Sequence, residues 1–334
     1  MQTSPEELIL TGDIGRTNAR FALFSGGQYI ETSLRTLPVT DNADLADTIA
    51  ACFSMLDHEP KAVSRIALSV ASTTYEDLVE LTNNNVSFRV SDLVARFGLQ
   101  QAKVINDFTA VALGVVSLPE QHVQLLHKGT VSPDAPRAVL GAGTGLGVSG
   151  LINAGTHWIP LQGQGGHVSM AAQSSRELAI HNIIADDIGH VSAERYLSGP
   201  GIVRVYNAIC ELEGTEPQFV KASEITAAGM DSSCEICSEV LRLFYKYLGV
   251  VAGDLALTLG SLGGIYIAGG IVPQLQQHFI DSDFLYWLHY KGRFSDLVKD
   301  MPVWLVTGEE PALFGACQCL NPYYDQLGYT VHAC

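Results

Sequence analysis

Asn106 and Asp107 stand together at the predicted start of a helix, where they could take part in proton transfer. They follow a short apolar strand ending at Ile105, and either side chain could cap the exposed amides of the helix. Capping is the simpler interpretation of Asp107. The alternative is a general base that takes the proton of a substrate hydroxyl, a role that typically contributes about 10² to 10⁴ in rate.

Two glycine turns between predicted strands could bring backbone amides close to a phosphate. The first turn reads GDIGRTN over residues 12–18, and the second reads GAGTGLG over residues 141–147. Neither is a dinucleotide fingerprint or a Walker loop, since both of those lead from a strand into a helix. A hairpin tip can instead direct N–H groups at phosphate oxygens, with Asp13 left for a cation and Thr144 supplying a hydroxyl. Either turn alone is also compatible with a plain hairpin.

Three further segments carry weaker signals. The glycine pair after the buried strand in IYIAGGIVP, residues 265–273, leaves room for a flat ligand such as a purine. GQGGH at 163–167 and HVSAER at 190–195 contain polar side chains that are individually typical of ordinary surface or core groups, and their spacing fits no zinc site.

The seven cysteines favour a reducing compartment over a disulfide framework, because their number is odd and their spacing irregular. Cys234 and Cys237 form a CxxC that we predict to lie inside a helical stretch. Without a second pair, a structural role is the simpler interpretation, and metal binding or redox chemistry is the alternative.

Composition narrows the class of protein. A chain of 334 residues, 47% hydrophobic, can form a large core and suggests about two domains. The formal charge of −16 argues against binding to nucleic acid or to an anionic membrane. The start, MQTSPEEL, shows no secretory signal, so we expect a cytoplasmic enzyme. Residues 255–280 are uncharged, but five glycines divide them into shorter elements, which argues against a membrane span.

The pattern of predicted elements occurs twice. Three strands within residues 7–35 precede a helix over 43–57 and a buried strand over 65–71, and a later helix covers about 91–98. Three strands recur over 137–161, with helical stretches from about 174. Later elements are a helix over about 235–259, a strand at 265–268, a strand over 302–306 and a helix over 312–320. This repetition predicts two related α/β domains with a ligand cleft between them.

Together these segments resemble the bacterial glucokinases, the non-ROK hexokinase family of the actin/hexokinase/Hsp70 superfold, from about Leu8 to Leu320. GDIGRTNAR and AVLGAGTGLGVS resemble the two phosphate motifs of the family, INDFTAVALG and EEPALFGA the two connecting motifs, and IYIAGGIVP the adenosine motif. The cysteine-rich zinc signature of the ROK family is missing.

The resemblance implies a fold of two ribonuclease-H-like (actin-like ATPase) domains of βββαβαβα type with an interdomain cleft. The small α/β domain would comprise residues 1–111 with 304–321, and the large α/β domain residues 112–303. Residues 322–334 would form a C-terminal tail. A homodimer is also implied.

The implied reaction is ATP-dependent phosphorylation of the 6-hydroxyl of glucose, with Mg²⁺ bound alongside ATP. Asp107 would be the catalytic base. The residues matching sugar contacts are Asn106, Asp107, Gln164, His167 and Glu194. The residues matching nucleotide contacts are Gly12, Asp13, Ile14, Gly15, Arg16, Thr17, Asn18, Gly143, Thr144, Gly145, Gly269 and Gly270. Asp13 would meet the Mg²⁺, directly or through water.

Three departures from the family pattern keep alternatives open. Arg16 replaces the second glycine of GDxGGTN, and we expect the hairpin to tolerate it. Gln164 replaces a sugar-binding Glu, and the loop at residues 72–77 lacks the expected Gly-Pro. The alternatives are a kinase for a different hexose or hexose derivative, or a catalytically silent sugar-binding regulatory protein.

Overall fold

The structure, a computed structural model, describes residues 7–39, 44–56, 62–72, 76–81, 86–308, 310–327 and 330–333. Two compact units are present. The first comprises Met1–Pro119, His157–Gln162 and Gly308–Cys334, and the second Glu120–Thr156 and Gly163–Thr307. The domain boundaries inferred from the sequence stay a prediction. Contacts between residues divide the chain into these two units, but they do not show that either unit folds alone.

The first part of the chain forms seven strands and three helices within the described residues. They are β1 (Leu8–Ile14), β2 (Asn18–Ser25), β3 (Gln28–Pro38), α1 (Leu45–Ser54), β4 (Val63–Val70), β5 (Leu78–Glu80), β6 (Ser87–Arg89), α2 (Val90–Phe97), β7 (Gln101–Asn106) and α3 (Asp107–Val115). The predicted three-strand start, the first two helices and the strands ending near 71 and 105 are confirmed.

The remaining described elements complete both units. They are β8 (Val123–His127), β9 (Arg137–Ala142), β10 (Leu146–Asn153), β11 (Trp158–Leu161), α4 (Ser175–Ile188), α5 (Gly199–Glu213), α6 (Ala222–Met230), α7 (Glu235–Leu259), β12 (Ile265–Ala268), α8 (Val272–Ile280), α9 (Phe284–His289), α10 (Ser295–Lys299), β13 (Val303–Val306), α11 (Pro311–Cys319) and β14 (Thr330–Ala333). No helix in the described part of the chain combines the length and the apolar character needed to cross a membrane.

The sheet of the first unit has the strand order β14-β7-β4-β1-β2-β3. Strand β1 is antiparallel to β2 and parallel to β4, and β4 is parallel to β7. Because β1 lies between two other strands and both its faces are covered, nearly all of its residues are buried. The parallel strands β1, β4 and β7 therefore end at the same edge of the sheet.

The second unit contains the strand order β10-β9-β12-β13-β8. Here β9 is antiparallel to β10 and parallel to β12, and β12 is parallel to β13. The long helix α7 supplies much of the apolar core, and its bounds match the predicted range of 235–259. Because β9 and β12 are parallel neighbours, the glycine turn after β9 and the glycine pair after β12 lie at the same edge of the sheet.

Helices α3 and α11 of the first unit pack with their backbones in direct contact. A Cβ placed on Gly114 would lie 1.9 Å from the carbonyl oxygen of Pro311, and one on Gly315 would lie 1.7 Å from that of Ala110. Only glycine fits at both positions. Since α3 begins at Asp107, this contact sets where the candidate base is held.

We expect Gly315→Ala to destabilise the protein by about 3 kcal/mol or more, because the added methyl group meets a carbonyl oxygen that cannot rotate away. Chemical denaturation of both proteins measures the change. Gly163→Ala is the matched control, since no atom lies within 4 Å of its added Cβ. Equal stability of the two variants would contradict the close helix contact.

Candidate active site

The carboxyl ends of the parallel strands in the first unit bring acidic and polar side chains together. Asp13 of β1 is in register with Ser69 of β4, and Ser69 is in register with Ile105 of β7. The hydroxyl of Ser69 donates a hydrogen bond of 3.0 Å to Oδ1 of Asp13. Asn106 and Asp107 follow Ile105, so the predicted base stands at the same edge as the predicted cation ligand.

Asn106 caps helix α3 and also holds the carboxylate of Asp107. Its Oδ1 accepts hydrogen bonds from the backbone N–H of Thr109 at 3.0 Å and from the Thr109 hydroxyl at 3.1 Å. Its Nδ2 donates to Oδ1 of Asp107 at 3.0 Å and to the carbonyl of Ser72 at 3.3 Å. Asp107 Oδ1 also accepts from the N–H of Phe108 at 2.7 Å. The Asp107 carboxylate is thus oriented by two donors.

Burial raises the pKa of both carboxyl groups at this edge. For Asp107 it outweighs the hydrogen bonds from Phe108 and Asn106, which lower the pKa. For Asp13 burial raises the pKa to about 6, opposed by the Ser69 hydrogen bond and by Arg20, and reinforced by the charge of Asp107. A raised pKa makes Asp107 a better proton acceptor at neutral pH than an exposed carboxylate.

The same electrostatics make Asp13 a suitable partner for a divalent cation. Two carboxylates close together repel each other when both are ionised, and a cation relieves that repulsion. No group of three or more His, Cys, Asp or Glu side chains in the described residues could hold a metal by itself. Mg²⁺ is commonly held by one or two carboxylates together with substrate phosphates and water, so this donor set fits it.

The first glycine turn is a closed hairpin with Arg16 at its tip. The N–H of Gly15 donates to the carbonyl of Asn18 at 2.9 Å, and Arg16, Thr17 and Asn18 are exposed. Ile14 is buried in the core, which leaves only its backbone for a ligand. A Cβ on Gly12 would lie 2.7 Å from Leu68, so this glycine serves strand packing. The hairpin therefore forms with an arginine in place of the family's glycine.

The second glycine turn lies against the beginning of a helix. Gly143 N–H donates to the carbonyl of Gly145 at 2.8 Å, and the Gly143 carbonyl accepts from the N–H of Gly199 at 2.9 Å. Gly199 begins α5, which is capped by the hydroxyl of Ser198. Thr144 is exposed at the tip. Helix N-termini and exposed turn amides both favour anions, which makes this a candidate phosphate site.

The glycine pair after β12 packs against the glycine turn that follows β9. Gly269 has a φ of +87°, and a Cβ there would lie 2.4 Å from the carbonyl oxygen of Ala142. That carbonyl also accepts from the N–H of Ile271 at 3.2 Å. A Cβ placed on Gly270 would meet no atom within 4 Å, so there is open space beside this residue. The predicted adenosine and phosphate motifs are thus neighbours in the second unit.

The backbone of Leu146 contacts both segments that carry the predicted sugar contacts of the second unit. Its N–H donates to Oε2 of Glu194 at 2.9 Å. Its carbonyl lies so close to Gly166 that a Cβ there would be 2.1 Å away. Gly166 belongs to the short 3-10 turn that presents Gln164 and His167, both exposed. Glu194, Gln164 and His167 are therefore held around one backbone position.

A buried ion pair supports the turn that carries Glu194. Glu177 accepts from Nζ of Lys246 at 2.7 Å and from the hydroxyl of Tyr247 at 3.1 Å. The Tyr247 ring packs at 4.7 Å from that of Tyr196, two residues after Glu194. Burial raises the pKa of Glu177, but Lys246 and the hydrogen bonds to Glu177 outweigh it and leave the pKa below its ordinary value.

Sequence reasoning missed Ser69 and Leu146 as parts of the site. Ser69 carries a visible signal, since it is a hydroxyl within the apolar strand RIALSVA at the level of Asp13. Leu146 acts through its backbone, so its residue type carries none. The altered loop at 72–77 lies partly outside the described residues, which resume at Glu76.

Comparison with solved structures places this α/β fold among the sugar kinases. A crystal structure of glucokinase from an Antarctic psychrotroph superimposes with a TM-score of 0.83 at 34% identity, covering 94% of this chain and 98% of that one. The glucokinase of Balamuthia mandrillaris, solved in complex with glucose, has the same fold, with a TM-score of 0.74 at 19% identity and coverage of 94% and 93%. The protein is a hexose kinase, a phosphotransferase with an alcohol acceptor.

Sequence comparison narrows this class to one family. The sequence model of the glucokinase family matches residues 10–323. A glucokinase from Aromatoleum aromaticum is 42% identical over 312 residues, which are 93% of this chain and 94% of that protein. The chain belongs to the glucokinase family.

The raised pKa of Asp13 predicts a specific pH dependence of stability for the protein without ligands. Ionising Asp13 costs folding free energy, and this cost is absent below its ordinary pKa of 3.8 and complete above about pH 6. Relative to Asp13→Asn, we expect the wild type to lose up to about 3 kcal/mol as the pH rises through this window. Denaturant unfolding at several pH values measures the difference.

Ser69→Ala provides the check on the cause. Its hydroxyl lowers the pKa of Asp13, so its removal should enlarge the loss and extend it to higher pH. A difference between wild type and Asp13→Asn that does not vary with pH would contradict the assignment.

Proposed function

We propose that this protein transfers the γ-phosphoryl group of ATP to the 6-hydroxyl of glucose, giving glucose 6-phosphate and ADP. The observation that carries the proposal is the junction of β7 and α3. There a carboxylate with a raised pKa is oriented by Asn106 and Phe108, at the same sheet edge as Asp13 and the first glycine hairpin. Membership of the glucokinase family supports the same reaction.

Asp107 acts as the general base. Its carboxylate accepts the proton of the 6-hydroxyl while the hydroxyl oxygen forms a bond to the γ-phosphorus. The bond between that phosphorus and the bridging oxygen breaks, and ADP leaves with the electron pair. Such transfers depend on in-line positioning and charge stabilisation more than on covalent help from the protein, so the orientation imposed by Asn106 matters as much as basicity.

The nucleotide contacts come from the backbone-rich turns. In the first unit, the exposed hairpin tip at Arg16 and Thr17 brings backbone amides and the Arg16 guanidinium to phosphate oxygens. In the second unit, the 143–145 turn at the start of α5 offers further amides, and the space beside Gly270 suits a purine. Mg²⁺, when bound with ATP, neutralises phosphate charge, and Asp13 is the side chain that would meet it.

Gln164, His167 and Glu194 are the sugar contacts of the second unit. Their shared anchoring at Leu146 supports this assignment. Gln164 supplies a neutral acceptor where the family has a carboxylate. A neutral hydrogen bond contributes about 0.5–1.5 kcal/mol against about 1.5–3 for a charged one, so the affinity for glucose is reduced or the preferred hexose differs.

The finer classification is also part of the proposal. The missing cysteine signature favours the non-ROK family. In the first sheet, β1, β2 and β3 are antiparallel and β4 and β7 continue in parallel, and in the second unit β9 is antiparallel to β10 and parallel to β12; this pattern supports the ribonuclease-H-like, actin-like domain type. The homodimer and the cytoplasmic location come from the sequence and the resemblance alone.

We expect Asp107→Asn to lower kcat by about 10² to 10⁴, because the variant keeps the shape of the carboxylate but cannot accept the proton. A coupled assay of ADP release with Mg·ATP and glucose measures the rate. Glucose binding, followed by calorimetry, should remain measurable. Asp92→Asn, an exposed acidic position on α2, is the control. Turnover by Asp107→Asn at the wild-type rate would reject the assignment of the base.

We expect Gln164→Glu to lower the KM for glucose about tenfold with little change in kcat, because a charged acceptor strengthens the hydrogen bond to a sugar hydroxyl. Assays over a panel of hexoses show whether the gain is specific to glucose. Gln274→Glu makes the same charge change at an exposed position of the second unit and serves as the control. A KM that does not change would remove Gln164 from the sugar site.

A further inference from the structure

The CxxC sequence at residues 234–237 begins helix α7, and nothing in the proposed reaction uses it. Cys234 is the N-cap residue, and Cys237 lies in the first turn. The sequence interpretation placed the pair inside the helix, where both thiols would be ordinary packing groups. At a helix start, the first cysteine instead faces the unpaired amides and the positive end of the helix dipole.

The two thiols are unequal in exposure and in hydrogen bonding. Cys234 is partly exposed, whereas Cys237 is fully buried. Sγ of Cys234 accepts a hydrogen bond from the N–H of Cys237 at 3.3 Å. Burial, followed by a hydrogen bond to Cys234, raises the pKa of the Cys237 thiol to about 12. The Cys237 thiol is therefore protonated at neutral pH, and the sulfur of Cys234 lies within hydrogen-bond distance of the Cys237 backbone.

The approach to Cys234 is lined by an exposed turn. Asp231, Ser232 and Ser233 are all exposed, and Ser232 has a φ of 59°, in the left-handed region that favours glycine. The turn is held by a hydrogen bond of 2.9 Å from Ser233 N–H to Oδ1 of Asp231. Cys234 therefore lies at the protein surface beside this turn, partly packed against the core, whereas Cys237 is covered.

We propose that Cys234 and Cys237 form a redox-active dithiol that reacts with small-molecule disulfides, with Cys234 as the attacking thiol and Cys237 as the resolving thiol. The thiolate of Cys234 attacks one sulfur of the disulfide, forming a mixed disulfide and releasing one thiolate. Cys237 then gives up its proton, and its thiolate attacks Sγ of Cys234 and releases the second thiolate. Two protein thiols are oxidised, and the small disulfide is reduced to two thiols.

Other cysteines of the described residues do not share this arrangement. Cys210 is close enough to Cys237 to affect its pKa, but it is buried on α5. Cys317 and Cys319 are separated by one residue on α11, so their side chains point to different sides of the helix. They are an internal control for non-specific oxidation.

The test incubates the folded full-length protein in a glutathione buffer of increasing oxidised fraction. Acid quenching, alkylation under denaturing conditions and peptide mass spectrometry then report each cysteine. The expected result is complete loss of alkylation at Cys234 and Cys237, with an internal disulfide in their peptide, while Cys317 and Cys319 stay alkylated. A reduced 234–237 pair in fully oxidised buffer, or a bond between Cys210 and Cys237, would overturn the proposal.

Two variants separate the roles of the thiols. Cys237→Ser should accumulate a glutathione adduct on Cys234, because the resolving thiol is missing. Cys234→Ser should leave Cys237 unmodified, and its oxidation at the wild-type rate would contradict the assigned order.

A wild-type measurement covers the case in which a variant does not fold. One equivalent of iodoacetamide should alkylate Cys234 first and thereby block glutathione chemistry at Cys237, and preferential alkylation of Cys237 would reject the proposal. These readouts do not involve glucose or ATP, so they are independent of the kinase assignment.

Discussion

The glycine turn at residues 143–145 is the constraint on which the second unit depends. The carbonyl of Gly143 accepts a hydrogen bond from the N–H of Gly199, which begins α5. The carbonyl of Ala142, just before the turn, accepts one from the N–H of Ile271, which precedes α8. The residue after the turn, Leu146, donates to Glu194. Side chains larger than hydrogen cannot occupy Gly269 or Gly166, because a carbonyl oxygen lies within 2.4 Å of each Cβ position. The residues proposed to contact phosphate, purine and sugar are therefore all positioned by one short stretch of backbone.

In the first unit, burial underlies both roles that we propose, namely proton transfer at Asp107 and cation binding at Asp13. Asp13 lies near the end of β1 and Asp107 follows β7, so both lie at the same edge of the sheet. Their removal from water raises the pKa of each carboxyl group. The cost is moderated by neutral donors, namely Asn106 for Asp107 and Ser69 for Asp13. Neutral donors orient a carboxylate without neutralising it, which leaves its charge available to a proton or to a bound metal ion.

Departures from the family pattern change side chains that we propose contact the substrates, and they leave the backbone intact. The hairpin closes by its Gly15 to Asn18 hydrogen bond with Arg16 exposed. Gln164 occupies the same short turn as His167, whose packing depends on Gly165 and Gly166. Specificity can thus vary at these side chains, because the turns that carry them are held by glycine contacts that the substitutions do not touch.

The sequence by itself determined the three-strand starts, the glycine turns and the bounds of α7, since hydrophobic periodicity and glycine positions are local properties. The five ordered motifs also pointed to the family. Short elements such as β5, β6, β8, α9 and α10 were not predicted, because tertiary packing rather than local sequence pattern selects them. Only the tertiary structure decided that Asn106 caps α3 and orients Asp107, that Ser69 meets Asp13, and that Leu146 anchors Glu194. It also placed Cys234 at the start of α7. Each of these depends on which atoms burial and strand register bring together, and residue spacing along the chain does not specify that.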